Sequence, residues 1–295
     1  MRGIITDKNL RRIYDYIRAC VWRGDSIEVT RKLVESSGIN DALFNKIIGI
    51  VSTNFSTGSN SLYLELIKKC ILDEIYDRPE NRDSRGYPLF AHSMVGKKRL
   101  DNIHRIAESV LSLGVQGDWI ETGVWRGGSC ILMRAILKSF GITDRVVWVA
   151  DSFQGLPLPN ADLYPQDVGR EHLYRHPLLA VSLEEVRSNF EKYDLLDDQV
   201  RFIKGWFSDT LPSAPIEKLS ILRLDGDMYE STMVALTSLY DKLSYGGFVI
   251  VDDYGLKECN KAILDFRSSR NINDEIYLIE LDRNDCAVFW QKIGH

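Results

Sequence analysis

The stretch Asp118-Trp-Ile-Glu-Thr-Gly123-Val-Trp-Arg-Gly127-Gly128-Ser129 decides the fold. A short apolar run leads into a turn that holds three glycines, and the residues after the turn have the apolar spacing of a helix. Glycines at such a turn let the backbone approach a ligand closely, and the N-terminus of the helix favours a negative group. The stretch therefore predicts a strand, a glycine-rich turn and a helix, which together form one unit of an α/β sheet. The turn could bind a cofactor, or its glycines could serve only to pack a tight turn.

From residue 117 onward, short apolar runs alternate with helical patterns. The runs are rich in β-branched residues and nearly continuous in apolar character, which is typical of parallel strands covered on both faces. The alternation predicts a doubly wound α/β sheet. The predicted strands are 118–121, 145–150, 200–203, 219–224, 247–251, 275–280 and 286–290, and the predicted helices lie near 129–140, 182–193, 230–243 and 257–269.

The last two predicted strands differ from the others in their connection. Only Leu281 to Asp285 separate them, and a parallel crossover needs a dozen or more residues. We therefore expect a terminal antiparallel hairpin. A mostly parallel sheet closed by such a hairpin favours a methyltransferase over a plain dinucleotide-binding sheet.

The residues before the sheet show helical periodicity without strand signals. We predict a helical N-terminal extension over 1–58, a helical cap or lid segment over 59–116, and a catalytic core over 117–295. The polar residues from Ser52 to Asn60 indicate a linker. The irregular segment from Asp77 to Ser93 is a candidate loop over a site.

Composition excludes several classes of protein. The chain has 295 residues, of which 44% are hydrophobic, so global disorder is excluded. A net charge of −5 argues against duplex DNA or an anionic membrane as the main partner. No apolar run approaches the roughly 18 residues of a membrane span, and the five cysteines are single, without a CxxC pair. We expect a cytoplasmic protein with reduced thiols and with neither nucleic acid nor membrane as a partner.

Three strand ends carry candidate cofactor-binding residues. In the first turn, Trp125 stands where a dinucleotide-binding motif has its second glycine, and this disfavours a pyrophosphate but not S-adenosylmethionine. Asp151 ends the second strand and could accept hydrogen bonds from both ribose hydroxyls, or could instead cap a helix. After the third strand, Trp206 could flank an adenine and Asp209 could accept from its amine. A purely structural aromatic residue is equally compatible with the local sequence.

Four acids follow strands four and five, namely Asp225, Asp227, Asp252 and Asp253. Adjacent parallel strand ends would bring these carboxylates into one cleft, where they repel unless they are neutralised, protonated or bound to a cation. A ligand set of oxygen atoms alone indicates Mg²⁺, Mn²⁺ or Ca²⁺ rather than zinc. The alternative is that these are ordinary turn and helix-capping acids.

At these residues the chain resembles the macrocin O-methyltransferase family, whose members use S-adenosylmethionine and Mg²⁺ to methylate sugar hydroxyls of natural products. The resemblance covers roughly residue 61 to the C-terminus. The matching motifs, in order, are Ala91-His-Ser-Met-Val-Gly96 with Lys98-Arg-Leu-Asp-Asn102, Ile120-Glu-Thr-Gly-Val-Trp-Arg-Gly-Gly128, Asp151-Ser-Phe-Gln-Gly-Leu-Pro157, Gly205-Trp-Phe-Ser-Asp-Thr-Leu-Pro212, Leu224-Asp-Gly-Asp-Met-Tyr-Glu-Ser-Thr232 and Gly246 to Tyr254.

The resemblance implies a fold, a reaction and a set of residue roles. It implies a doubly wound class I methyltransferase sheet, Asp225, Asp252 and Asp253 as metal ligands for Mg²⁺ (or Mn²⁺), Asp227 as the general base, and a variable substrate lid over 157–177. The acceptor would be a hydroxyl of a glycosyl or polyketide natural product in secondary-metabolite biosynthesis, and a homo-oligomer, dimer or tetramer, is expected. The candidate cofactor-binding residues are Ser93, Met94, Glu121, Thr122, Gly123, Gly127, Ser129, Asp151, Ser152, Trp206, Asp209 and Asp225.

Two other enzyme functions remain open at this point. A catechol-type O-methyltransferase would differ in its acceptor rather than in its chemistry. A nicotinamide-dependent oxidoreductase could use the same kind of sheet, although the G-x-x-x-G-G spacing, the terminal hairpin and the acid cluster count against it. A non-catalytic cofactor-binding subunit is a third possibility, and the intact acids count against that one.

Overall fold

The computed structural model describes residues 8–34, 39–52, 59–76, 82–83, 86–174, 176–282 and 285–293. The strands are β1 (Asp118–Thr122), β2 (Val147–Asp151), β3 (Val200–Lys204), β4 (Leu219–Leu224), β5 (Leu243–Val251), β6 (Tyr277–Asp282) and β7 (Asp285–Gln291). The helices are α1 (Lys8–Arg23), α2 (Ile27–Val34), α3 (Asp41–Ser52), α4 (Ser59–Ile71), α5 (Gly96–Ser112), α6 (Gly128–Ser139), α7 (Glu171–Tyr174), α8 (Leu183–Lys192), α9 (Phe207–Thr210), α10 (Tyr229–Leu239) and α11 (Lys257–Ser269). Among these described helices, none has the length and apolar character of a membrane span.

The seven strands form one sheet in the order β3-β2-β1-β4-β5-β7-β6. The first five strands are parallel, and β7 runs antiparallel to both β5 and β6. The predicted α/β class and the terminal hairpin are therefore confirmed. The order reverses between β1 and β4, and ligands of open α/β sheets bind beside such a point, at the carboxyl ends of the strands.

Alternation along each strand separates two apolar cores, one on each face of the sheet. In β1, Trp119 packs into the core beneath α4, α5, α6 and α8, while Ile120 packs into the core beneath α10 and α11. Successive strand residues point to opposite faces of the sheet. Because helices cover both faces here, the residues on either face can be apolar. This explains why the predicted strands have nearly continuous apolar character.

Strand β5 begins at Leu243, four residues before its predicted start at Gly247. Its pairing with β4 shifts between Leu219, which faces Leu243, and Ile221, which faces Phe248. Gly246 lies in the left-handed region with φ of +85°. An irregularity of this kind interrupts the strand pattern without ending the strand, which is why the sequence pattern located only its second half.

The region predicted as an N-terminal extension contains α1, α2 and α3, and α1 joins it to the sheet. One face of α1 packs with α3 through Ile17, Phe44 and Ile47. The opposite face contributes Trp22 to the core that contains Trp119 of β1. There its ring contacts that of Phe248 edge-on, with the ring centroids 4.7 Å apart. The boundary at residue 58 remains a prediction, and the linker residues 53–58 lie outside the described residues.

We predict that Trp22→Ala lowers the free energy of unfolding by about 3–5 kcal/mol, because it removes a large side chain that is 3% exposed. Tyr16→Ala is the matched control, since Tyr16 is an aromatic residue of the same helix but is 41% exposed. We expect the control to cost less than about 1 kcal/mol. Urea unfolding measures both changes, and a loss at Trp22→Ala as small as that expected for the control would contradict the prediction.

Candidate active site

A cavity of about 710 Å³ opens at the carboxyl ends of the parallel strands. Every parallel strand contributes lining residues from the turn that follows it. These are Gly123, Val124 and Trp125 after β1, Ser152 after β2, Gly205 and Trp206 after β3, Asp225 and Asp227 after β4, and Asp252 and Asp253 after β5. The cavity therefore lies where the sheet topology predicts a ligand site.

The glycine-rich turn after β1 brings two strand ends into close contact. Gly123 has φ of +88°, and a Cβ atom at this position would lie 1.7 Å from the carbonyl oxygen of Asp225. Only glycine fits a backbone that passes so near another. The turn is thus fixed against the end of β4, and any side chain at 123 would push the acidic turn away.

Most of the predicted cofactor-binding residues line this cavity. Those that do so are Ser93, Met94, Glu121, Gly123, Ser129, Asp151, Ser152, Trp206, Asp209 and Asp225. Thr122 and Gly127 are not among the lining residues. The Thr122 hydroxyl donates to the carbonyl oxygen of Arg223, and a Cβ at Gly127 would lie 2.9 Å from Val186. These two residues therefore shape the strand end and the turn behind the cavity wall.

Asp151 holds the turn after β1 and its own turn in place. Its Oδ2 accepts from the backbone N–H of Val124 at 2.8 Å, and its Oδ1 accepts from that of Phe153 at 2.7 Å. Burial raises the pKa of Asp151, while these amide hydrogen bonds act in the opposite direction. The Ser152 hydroxyl also lies 3.4 Å from Oδ1, so the carboxylate is held by its own turn. Asp151 lines the cavity, and its hydrogen bond to a ribose hydroxyl stays a prediction.

The centre of the site is a buried arginine that the sequence patterns did not identify. Arg223 lies within β4 and is fully buried. Its guanidinium pairs with Glu121 of β1, with Asp252 after β5, and with Asp225 Oδ2 at 2.6 Å. Glu121 also accepts from the Cys130 thiol at 2.8 Å. Glu121 is thus a counter-ion of Arg223 as well as a lining residue.

A second arginine, from helix α5, binds one of these carboxylates. Arg99 Nη1 donates to Asp252 Oδ2 at 2.5 Å, while Arg223 binds the other oxygen of this carboxylate. Asp252 is therefore held from two sides. Arg99 belongs to a motif that carries the family resemblance, but its position at the site could not be read from that motif.

The acids still outnumber the two arginines. Glu121, Asp225 and Asp252 pair with Arg223 or Arg99. Asp227 and Asp253 interact with the neighbouring carboxylates, and Arg170 of the lid acts on Asp227. Burial, and after it the neighbouring carboxylates, raises the pKa of Asp225 to about 6 and that of Asp227 to about 7. The same two causes raise the pKa of Asp253. The excess negative charge thus requires protons or a cation.

The residues present fit a divalent cation. One oxygen atom from each of Asp225, Asp252 and Asp253 lies within 4.8 Å of the other two. Carboxylate oxygens are the ligands that Mg²⁺ and Mn²⁺ prefer. The arginines occupy one hydrogen-bonding position on each oxygen that they bind, and the remaining lone pairs are open to a metal.

Asp227 lies on the turn after β4, together with Asp225, and its backbone conformation is strained. Its φ is +59°, and its backbone N–H donates to Asp253 Oδ2 at 2.9 Å. Trp125 and Phe153 also have positive φ, in the turns after β1 and β2. Non-glycine residues adopt this region at a cost, and such residues concentrate at functional sites.

Residues of the predicted lid also line the cavity. These side chains are mostly apolar and include Pro157, Leu158, Leu173 and Tyr174, with Asn160 as a polar exception. Tyr87 also lines the cavity, from the segment predicted as a loop over the site. Of that segment, residues 77–81, 84 and 85 lie outside the described residues.

The comparisons with known proteins identify the family of the chain. Residues 61–292 match the family model described as Macrocin-O-methyltransferase (TylF). The chain belongs to the macrocin O-methyltransferase family. Accordingly it is an O-methyltransferase, and S-adenosylmethionine is the methyl donor that its fold implies.

Characterised relatives cover most of the chain. The chain is similar to demethyldecarbamoylnovobiocin O-methyltransferase of Streptomyces niveus, with 49% identity over 261 residues, which is 82% of this chain and 98% of that protein. It is similar to mycinamicin III 3''-O-methyltransferase of Micromonospora griseorubida, with 46% identity over 254 residues, which is 80% of this chain and 98% of that protein. The solved structure of the O-methyltransferase NovP superposes with a TM-score of 0.74 at 48% identity, covering 80% of this chain and all of that one.

We predict that the metal-free protein loses stability as the pH rises from about 4 to about 7. The folded state holds protons on Asp225 and Asp227, whose pKa values are about 6 and about 7, whereas the unfolded chain releases them near pH 4. In EDTA, Asp227→Asn should make this fall smaller, and Asp162→Asn, at an exposed lid acid, should not. Urea unfolding at each pH measures the slope, and identical slopes for the two variants would contradict the prediction.

Proposed function

We propose that this enzyme transfers the methyl group of S-adenosylmethionine to a hydroxyl of a glycosylated or polyketide natural product, with the help of a divalent cation. The observation that carries the proposal is the close grouping of Asp225, Asp252 and Asp253 beside Asp227 at one edge of the cavity. Three oxygen ligands next to a further carboxylate suit the activation of a hydroxyl.

The class of acceptor is supported by the relatives and by the cavity wall. The relatives from Streptomyces niveus and Micromonospora griseorubida are named for the methylation of novobiocin and mycinamicin precursors. In this chain, Leu158, Leu173 and Tyr174 line the same cavity as the acid cluster. A cavity with both apolar and charged lining residues suits a molecule with an apolar body and a hydroxylated end.

The chain's own residues have separable roles in this reaction. A bound divalent cation lowers the pKa of an acceptor hydroxyl, and S-adenosylmethionine supplies the methyl group as a sulfonium. Asp227 accepts the hydroxyl proton on a carboxylate oxygen, a role open to a carboxylate that lines the cavity beside the proposed metal ligands. Arg99 and Arg223 hold Asp252 in one orientation. The lid wall and the turns of the sheet hold the two reactants in line, from which much of the rate arises.

The nicotinamide alternative is disfavoured by the turn after β1. Trp125 stands in this turn and lines the cavity, and its indole N–H donates to the carbonyl oxygen of Leu178 at 2.7 Å. A dinucleotide-binding turn needs space for a pyrophosphate where this side chain lies. Catechol acceptors share the proposed chemistry, so they are included in the test below.

The assembly and the cellular location are further parts of the proposal. We propose a homo-oligomer, dimer or tetramer, in the cytoplasm, with a small-molecule hydroxyl acceptor and with no nucleic acid or membrane partner. The net charge of −5 supports the last point, because such partners attract basic proteins.

The direct test is methyl transfer from labelled S-adenosylmethionine to a panel of natural-product glycosides, polyketides and catechols, read by mass spectrometry. We expect transfer to a glycoside or polyketide hydroxyl with Mg²⁺, and its loss in EDTA. Calorimetry should show binding of S-adenosylhomocysteine and no binding of NAD. Transfer that persists in EDTA would remove the cation from the proposal, and NAD binding would revive the oxidoreductase.

We expect Asp227→Asn and Asp253→Asn to fail for different reasons. Loss of the base should lower kcat by about 10²–10⁴-fold and leave Mg²⁺ affinity within a few-fold, whereas loss of a ligand should weaken Mg²⁺ binding itself. Both variants should bind S-adenosylhomocysteine nearly as well as the wild type. If Asp227→Asn keeps more than about a tenth of the wild-type kcat, Asp227 is not the base.

A further inference from the structure

The helix that follows the acidic turn lacks a cap of its own. Helix α10 begins at Tyr229, immediately after Asp225–Met228, and Met228 stands at the N-cap, where its side chain makes no capping hydrogen bond. By contrast, α8 has a local cap, since Ser182 Oγ accepts from the backbone N–H of Glu185 at 3.1 Å. The first N–H groups of a helix need acceptors, and a helix without a local cap must find them elsewhere.

The missing cap comes from the lid, more than 60 residues earlier in the chain. Asp167 is completely buried. Its Oδ1 accepts from the backbone N–H of Tyr229 at 2.7 Å, and its Oδ2 accepts from that of Glu230 at 3.0 Å. A carboxylate here satisfies two amides and also interacts favourably with the helix dipole.

A second lid residue makes the corresponding contact with the other acidic turn. Helix α11 follows Asp252 and Asp253, and Glu258 lies in its first turn, where its side chain is 2% exposed. Arg170 of the lid pairs with this carboxylate. The lid is therefore attached at the start of both helices that follow the candidate metal-binding turns, and these attachments lie three residues apart.

We propose that Asp167 is a positioning residue that couples the lid to the acidic turn: by capping α10 from the lid, it makes the closed lid and the ordered turn of Asp225 to Met228 depend on each other. The effect of this coupling on catalysis rests on the proposed function, whereas the coupling between the lid and the turn does not. When the lid leaves, α10 loses the acceptors for its first amides, and the turn that carries Asp225 and Asp227 loosens with it. The lid thus does more than cover the substrate.

Hydrogen exchange of the full chain with S-adenosylhomocysteine tests this coupling without any acceptor. Two peptides are followed, one covering lid residues 160–174 and one covering residues 226–236. Asp167→Ala should speed exchange in both peptides by at least about fivefold, because both ends of the contact are released. Asp162→Ala is the matched control, an exposed acid of the same lid, and it should change neither peptide.

Asp167→Asn separates capping from packing, because asparagine has nearly the same shape but supplies one acceptor in place of two. The proposal predicts that the 226–236 peptide of Asp167→Asn exchanges at a rate between those of the wild type and Asp167→Ala. If Asp167→Ala fails to fold, Asp167→Asn still tests the proposal, because it retains the packing. Wild-type exchange in Asp167→Asn would show that the side chain only fills space. Faster exchange confined to the lid peptide would show that α10 does not depend on the lid, and either result overturns the proposal.

Kinetic measurements then separate a failure of the positioning role of Asp167 from a failure of the proposed function. With an acceptor from the panel, Asp167→Ala should lower kcat by about tenfold or more and leave the Kd of S-adenosylhomocysteine within about twofold of the wild-type value. An unchanged kcat beside faster exchange in both peptides would overturn the positioning role. If the wild type methylates no acceptor, the proposed function fails, while the exchange result still decides whether the lid and the turn are coupled.

Discussion

The buried guanidinium of Arg223 is the interaction on which the site depends. It lies within β4 and pairs with Glu121 of β1, with Asp225 at the end of its own strand, and with Asp252 after β5. A buried charge is costly unless it is paired, so the arginine and these acids require one another. The pairing is possible because the strand order places β1, β4 and β5 side by side. One side chain thereby holds together the strand ends that form the floor of the cavity.

The rest of the site is built around this pairing from every layer of the fold. Helix α5 adds Arg99, which binds the second oxygen of Asp252. The close approach of Gly123 to Asp225 fixes the glycine-rich turn after β1 against the acidic turn after β4. Even so, the acids remain in excess, and burial together with the neighbouring carboxylates raises the pKa values of Asp227 and Asp253, which both line the cavity. That excess is the physical reason to expect a cation here, and it distinguishes this cleft from a sheet edge that merely binds a nucleotide.

Much of the fold and part of the site could be predicted from the sequence, because both depend on patterns among residues that are close together in the chain. Short apolar runs located the strands, and the short last connection required a hairpin, which the structure confirms. Asp225 and Asp253 could be placed together because the ends of adjacent parallel strands meet. Arg223 escaped prediction because a single arginine in an apolar run is most often a surface residue. Asp167 escaped it because an acid in a polar loop gives no local sign that its partners lie 62 residues away.

The central claim is that Asp225, Asp252 and Asp253 bind a divalent cation beside Asp227. Anomalous diffraction from a crystal grown with Mn²⁺ and S-adenosylhomocysteine tests it most directly, because the anomalous signal of manganese locates the ion without reference to any assumed mechanism. We expect one strong peak within coordination distance of a carboxylate oxygen from each of these three residues, with Arg223 still paired to Glu121. A fully occupied cofactor with no manganese peak among the three acids, or with a peak only elsewhere on the chain, would contradict the claim.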